Sequence, residues 1–431
     1  EENNTVKKTT TTFRAYEPDQ MLLMPPSMRE WLADDHLVYF VMDMVQELNL
    51  DGIYGAYDGS QGGKPPYDPT MMTGLLMYAY CVGVFSSRKI EKASFEQIPF
   101  RVLTADQHPD HDTIAEFRRR HLQELSRLFV QVLRLCQKAG MVKLGHVALD
   151  GTKIQANASK HKAMSYERME KKAEELQAEV KRLMVEAEEK DSEEDQKHGK
   201  GRRGDELPEE LRFKEGRLRK IKEAMKALEE EADEKPKPKA QRNFTDPDSR
   251  IMKDGSTKAF AQSYNCQAAV DESQVIVAAE VTQAANDKQQ TKPMVKAIRQ
   301  NTHQVPEKLT QDNGYFSEEN VQYLEKKGID GYVATGRQKH GETHPISRGR
   351  IPEGLTIQER MARKLATKKG RAIYSRRKEI VEPVFGQIKE VRGFRRFLLR
   401  GVEAVRGEWK LVCLTHNLLK LFRHEQELVA A

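Results

Sequence analysis

Apolar positions recur at helical spacing through the first third of the chain. HLVYFVMDMVQEL (36–48) and PTMMTGLLMYAYCVGV (69–84) each carry such a stripe, the pattern of a helix with a buried face. GSQGGKPP between them reads as a loop by composition. A longer helix is predicted over 114–138, with Thr113 and Glu116 in a capping-box pattern at its start. The pattern then changes. HVALD (146–150) is a short apolar run ending at Asp-Gly and reads as a strand, as do SYNCQAAVD (263–271), VIVAAEVTQ (275–283) and a run at 308–311 that ends at Asp312. Helices are predicted over 288–299, 372–391 and 403–423. The order implies a polar tail (1–20), an all-helical N-terminal domain (21–140) and a mixed α/β domain (141–431).

Residues 160–240 interrupt that second domain. Met169, Leu176 and Leu183 repeat in heptads with Ala173, Val180 and Ala187 between them, and Leu211, Leu218 and Met225 repeat likewise with Ile221 and Leu228. Nearly everything else there is Lys, Arg or Glu. Two heptad stretches joined by a Gly-rich charged link (199–204) suggest an antiparallel helical hairpin, and an oligomeric coiled coil fits the same pattern. KPKPK (235–239) reads as the linker that closes the insertion.

Charge sharpens this picture. The 431 residues hold 72 Lys and Arg against 66 Asp and Glu, a formal net charge of +6. That mild total hides local clusters, Arg118, Arg119 and Arg120 in one place and Arg392, Arg395, Arg396 and Arg400 in another. Such patches matter more for binding phosphate than the whole-chain sum. Cys81, Cys136, Cys266 and Cys413 show no zinc-type spacing and fit reduced thiols of a cytoplasmic protein. EENNTVKKTTTTF lacks the apolar core of a signal peptide, and no run of about 18 apolar residues suggests a membrane span.

Three acids stand out for chemistry. Asp150 ends an apolar strand, but Asp-Gly between apolar runs is also a type I′ turn signal. Asp312 precedes Asn-Gly and carries the same ambiguity. Glu382 falls in a helical stretch where a glutamate is ordinarily solvated. Around it, Tyr374, Lys378, Glu382 and Lys389 fall on one stripe if the helix is continuous. Pro383 implies either a kink there or a helix that begins at that point, in which case Tyr374 and Lys378 leave the stripe.

Taken in order, these blocks resemble bacterial insertion-sequence transposases of the DDE type. ALDGTKIQANAS around Asp150, LTQDNGYFSEE around Asp312 and RRKEIVEPVFGQIKEVRGFRRFLLRG around Glu382 resemble the family's three catalytic blocks. YNCQAAVD and VTQAANDK resemble its intervening strands and helix start, and HPDHDTIAEFRRRH the end of its N-terminal domain. The resemblance spans roughly residues 20–425. Many relatives place an arginine four residues before the glutamate; here Lys378 occupies that position with Arg377 beside it.

The resemblance implies a ribonuclease H-like catalytic domain in which Asp150, Asp312 and Glu382 bind two Mg²⁺ ions, with Mn²⁺ as substitute. Paired ions suit phosphodiester chemistry because one activates the attacking oxygen and the other stabilises the leaving one. It further implies a DNA transposase that cleaves double-stranded DNA at element ends and transfers the strand to target DNA, as a homodimer or higher assembly in the bacterial cytoplasm. A related nuclease without strand transfer and a non-enzymatic DNA-binding derivative are the alternatives. Tyr374, Arg377, Lys378, Lys389, Arg392, Arg395, Arg396 and Arg118–Arg120 are the residues expected at DNA. GFRRFLLRG (393–401) suggests charge and stacking contacts with DNA, or a turn whose Phe394, Phe397 and Leu398 lie in the core. HPDHD (108–112) suggests a metal cluster or, more simply, a loop leading into a capped helix.

Overall fold

The computed structural model describes residues 27–57, 65–198, 209–232, 238–254, 258–336, 346–350 and 352–430. The tail at 1–20, most of the GSQGGKPP loop, the 199–204 link and most of KPKPK lie outside them.

The first seven helices are α1 (Leu37–Gln46), α2 (Asp51–Tyr54), α3 (Pro69–Cys81), α4 (Ser87–Glu96), α5 (Ile98–Leu103), α6 (His111–Arg120) and α7 (Leu122–Lys138). The single helix expected over 114–138 is two. Asp110, not Thr113, caps α6, its carboxylate accepting from the Thr113 N–H at 2.6 Å. The chain breaks at His121, which leaves helical geometry and stacks its ring on Tyr57 with centroids 5.4 Å apart.

The rest of the chain runs β1 (His146–Gln155), β2 (Ala163–Ser165), α8 (Tyr166–His198), α9 (Glu209–Glu230), β3 (Gln241–Asn243), β4 (Arg250–Lys253), β5 (Phe260–Asp271), β6 (Ile276–Thr282), α10 (Thr291–Thr302), β7 (Lys308–Gln311), α11 (Glu318–Lys326), β8 (Asp330–Val333), α12 (Ile357–Ala366), α13 (Lys368–Gly386) and α14 (Val402–Ala430). The main sheet has β6, β5, β1, β7 and β8 side by side, with β4 pairing the first part of β5. β5 is antiparallel to both β1 and β6, whereas β1, β7 and β8 are parallel. The central strands are largely buried, and several of their buried residues are polar, among them Asn265 and Gln267 of β5 and Thr310 and Gln311 of β7.

α8 and α9 pack antiparallel on a small core of Tyr166, Met169, Ala173, Leu176, Ile221, Ala224 and Leu228, with β2 and β3 paired at its base. Of the heptad positions, Met169, Ala173, Leu176, Ile221 and Leu228 meet here with Leu218 and Met225 packed against them, while the side chains of Ala187 and Leu211 lie outside the described residues. Tyr166 near one end donates to Glu229 near the other at 2.5 Å.

The N-terminal helices and the sheet share one hydrophobic core, with α14 packed against α7, α3 and β6. Trp409 on α14 is fully buried, and its indole N–H donates to the Gln267 carbonyl of β5 at 3.1 Å. Close approach is built in: a Cβ on Gly407 of α14 would lie 2.6 Å from Leu122 Cγ of α7. Among the described residues no helix is long and apolar enough to cross a membrane.

Candidate active site

Register brings the first two acids together. Leu149 of β1 pairs with Gln311, the last residue of β7, in a parallel ladder, so Asp150, the next residue of β1, lies beside Asp312, the first residue past β7. Adjacent strands lie about 4.8 Å apart, and residues in register point to the same face. Asp150 Oδ1 accepts from the Gly151 N–H at 2.9 Å, and Asp312 Oδ1 accepts from the Gly314 N–H at 2.8 Å.

Of the glycines after these acids, Gly151 lies inside the ten-residue strand β1 and Gly314 belongs to a single 3-10 turn. Neither has a positive φ. The reason for them is space. A Cβ on Gly151 would lie 2.5 Å from Gln267 Nε2 and 2.8 Å from Asp287 Oδ1, and one on Gly314 would lie 3.0 Å from Asp312 Oδ1 and 3.1 Å from Asp287 Oδ2.

Helix α13 supplies the cations. The Arg377 guanidinium donates to Asp150 Oδ2 at 2.7 Å, with side chains only 12 % and 19 % exposed. Arg377 also lies over the Tyr374 ring, 5.9 Å from its centroid. Of the two adjacent basic residues, Arg377 meets the carboxylate and Lys378 is exposed. Past the helix, Lys389 Nζ donates to Thr152 Oγ1 at 3.2 Å and to the Lys153 carbonyl at 3.4 Å.

Pro383 neither kinks α13 apart nor starts it; the helix runs through. Proline has no N–H, so the Glu379 carbonyl loses its usual partner. Gln274, from the β5–β6 turn, donates its side-chain amide to that carbonyl at 3.0 Å. A single π-helical turn follows at 387–391 and carries Lys389.

Burial governs the electrostatics. It pushes the Asp150 carboxyl up to about 6, Arg377 opposing and Asp312 adding to the rise. Asp312 is raised too, by burial first, with the Gly314 N–H and Arg377 opposing. Burial lowers the half-buried Lys153 ammonium, although Asp287, Asp312 and Asp150 attract it. Two desolvated carboxylates side by side form a donor set that fits a hard divalent cation.

Glu382 is exposed on α13 and makes no hydrogen bond or ion pair among the described residues. Among those residues no group of three or more His, Cys, Asp and Glu is arranged to hold a metal. That holds for HPDHD as well. His108 stacks on Phe95 with centroids 3.9 Å apart, and His111 bonds Glu91 at 2.8 Å.

Two expected DNA contacts are corrected. Arg118 is buried and donates to Tyr80 Oη at 3.2 Å and to the Phe85 carbonyl at 2.9 Å. Arg392 is buried and donates to Thr415 Oγ1 at 2.8 Å and to the Val412 carbonyl at 3.2 Å. Both guanidiniums satisfy interior carbonyls and hydroxyls and cannot reach a phosphate. Their neighbours do face outward. Arg119 pairs with Glu116, Arg120 lies over Tyr57, Arg395 pairs with Glu390, and Arg396 donates to Gln155 Oε1 at 3.0 Å. Phe394 and Phe397 are in the core, so the GFRRFLLRG segment offers charge to a ligand but no ring for stacking. It docks as an extra bridge on β1, Phe397 N–H donating to the Gln155 carbonyl at 2.9 Å.

Asp287 is the residue that reading the sequence missed. It sits in VTQAANDK, where an acid before a helix looks ordinary. The available signal was in YNCQAAVD: Asn265 and Gln267 are polar, alternate along one face of a strand and are fully buried, so they require a buried partner.

The fold and site thus define a mixed α/β protein with a half-buried aspartate pair beside an arginine-bearing helix. Residues 337–422 match the family model described as Transposase DDE domain, and residues 26–120 match the one described as Transposase domain (DUF772). Together the two matches indicate an insertion-sequence transposase of the DDE type. The first match includes Glu382; neither includes Asp150 or Asp312. No curated protein and no solved structure matches the chain.

Proposed function

We propose that this transposase cleaves DNA at the ends of an insertion element and joins the freed 3′ ends to target DNA, using divalent metal held by Asp150, Asp312 and Glu382. The observation that carries the reading is the juxtaposition of Asp150 on β1 with Asp312, which directly follows the parallel neighbour β7. The strand order β6-β5-β1-β7-β8, with β5 antiparallel to its neighbours, supports a ribonuclease H-like core. Glu382 enters this reading because it lies along α13 between two residues that touch the site, Arg377 and Lys389.

Bound Mg²⁺ or Mn²⁺ supplies activation of the attacking oxygen and neutralisation of the leaving one. The chain's own residues do the rest. Asp150 and Asp312 present carboxylate oxygens from a rigid sheet. Arg377 neutralises Asp150 and, with Lys389, Arg395 and Arg396, provides positive charge for the DNA backbone. Tyr374 and Lys378 extend that surface along α13.

The test uses linear DNA carrying the genomic segments that flank the protein's own reading frame. Wild-type protein is expected to nick at the segment ends with Mg²⁺, and pre-nicked ends are expected to join to a plasmid. Asp150→Asn and Asp312→Asn should bind this DNA yet lose cleavage by at least about a hundredfold, as should Glu382→Gln. Full cleavage by Asp150→Asn overturns the proposal. Cleavage without joining points instead to the nuclease alternative, and metal-independent binding alone to the non-enzymatic one.

A further inference from the structure

The structure gives Asp287 a place that the chemistry above leaves unexplained. Its Oδ1 accepts from both Asn265 Nδ2 and Gln267 Nε2, each at 2.7 Å. Gln267 in turn accepts from the hydroxyl of Tyr315, which belongs to the turn that follows Asp312. The backbone N–H of Gln290 donates to the Asp287 carbonyl at 2.9 Å, which holds the loop around it. The carboxylate therefore fills the Cβ space of Gly151 with one oxygen and abuts that of Gly314 with the other. Gly151 directly follows Asp150, and Gly314 is two residues past Asp312.

We propose that Asp287 is the positioning residue of this site: its carboxylate, held by Asn265 and Gln267, wedges between the backbones after Asp150 and Asp312 and sets the spacing of their oxygens. The inference rests on the reading that those two acids hold divalent metal. The clamp closes a ring from Asp287 through Gln267 and Tyr315 to the Asp312 turn and back. A wrong spacing at one acid is then resisted at the other. Groups of this kind, one bond removed from the metal, typically change affinity by about ten- to a hundredfold when lost.

Position and charge make different predictions. Asp287→Asn keeps the shape and the oxygen that accepts both carboxamides. Asp287→Ala removes the wedge. Binding of Mn²⁺ to purified full-length protein without DNA, followed by electron paramagnetic resonance, reads the difference directly. Asp287→Ala should weaken Mn²⁺ binding by about ten- to a hundredfold, and Asp287→Asn should stay within about threefold of wild type. The Mg²⁺ concentration for half-maximal cleavage should shift in parallel. Unchanged affinity in Asp287→Ala overturns the proposal. Equal loss in both variants also overturns it, because the charge rather than the wedge is then what matters.

If Asp287→Ala does not fold by circular dichroism, Gly314→Ala presses on the same wedge from the other side. It should weaken Mn²⁺ similarly, and unchanged affinity there overturns the proposal. Asp150→Asn separates the two levels of argument. If wild type and Asp150→Asn bind Mn²⁺ alike, or neither binds it, the underlying metal reading fails and this inference falls with it.

Discussion

Arg377 and Asp150, 227 residues apart in sequence, meet at 2.7 Å in a nearly buried ion pair. The pair joins α13 to β1 and places a permanent cation on the oxygen that a metal ion would share. Burial raises the Asp150 carboxyl despite that cation. Desolvation therefore outweighs attraction, as is common for buried pairs.

Removing the cation should make Asp150 harder to ionise. In Arg377→Gln the lowering cause is gone, so the carboxyl climbs further above about 6. Cleavage should fall by about a hundredfold at pH 7, and its acid limb should move to higher pH. A pH–rate profile with an unmoved acid limb counts against the electrostatic role of this pair.

Asp150 also sets a stability slope. Its folded pKa is about 6, above the ordinary carboxylate value. The folded state thus holds a proton more tightly than the unfolded chain between about pH 4 and 6. This group's stabilising contribution is present at low pH and is lost as pH rises through about 6. Asp150→Asn should remove that slope in metal-free protein while abolishing cleavage. Urea unfolding of both proteins at pH 4.5 and 7 checks this.

The arginines of the basic segment should divide into two kinds. Arg396→Ala should leave stability within about 0.5 kcal/mol and reduce the salt dependence of DNA binding by about one unit of slope. Arg392→Ala should instead cost about 3–5 kcal/mol, since it leaves interior carbonyls unpaired. Binding isotherms across a salt series, with unfolding curves, distinguish them; a lost salt slope in folded Arg392→Ala contradicts its interior position.

Glu408 is fully buried on α14. It accepts from Tyr80 Oη at 3.1 Å and from the Leu398 and Leu399 N–H groups at 3.0 and 3.1 Å. Glu408→Ala should cost about 3–5 kcal/mol, because three donors lose their acceptor. Limited proteolysis should then show cutting at 393–401, the segment those amides hold. Resistance equal to wild type tells against the anchoring role.

Sequence pattern carried the strands β1, β5, β6 and β7, because short apolar runs bounded by polar residues survive any reasonable choice of register. It left open whether the glycines near Asp150 and Asp312 mark turns: Gly151 lies inside β1, whereas Gly314 sits in the 3-10 turn after Asp312. Asp-Gly is a turn signal only when nothing else needs the missing Cβ, and here Asp287 does. Spacing alone could not choose between Arg377 and Lys378, since the choice depends on which face α13 presents to β1. It also sent Arg118 and Arg392 outward, for an arginine that satisfies buried carbonyls leaves no trace in composition. Short elements such as α4, α5 and β8 lacked the length for a periodic signal. Their positions come from packing rather than from local preference.

The shared core has a consequence for exchanging parts between relatives. A chain cut near residue 140 would tear α7 from α14 and expose the interior that both halves line. A Cβ on Gly83, in the loop after α3, would sit 2.7 Å from the Arg392 carbonyl, so even the loops interlock across that line. Grafting the front helices of one relative onto the back of another should yield insoluble hybrids.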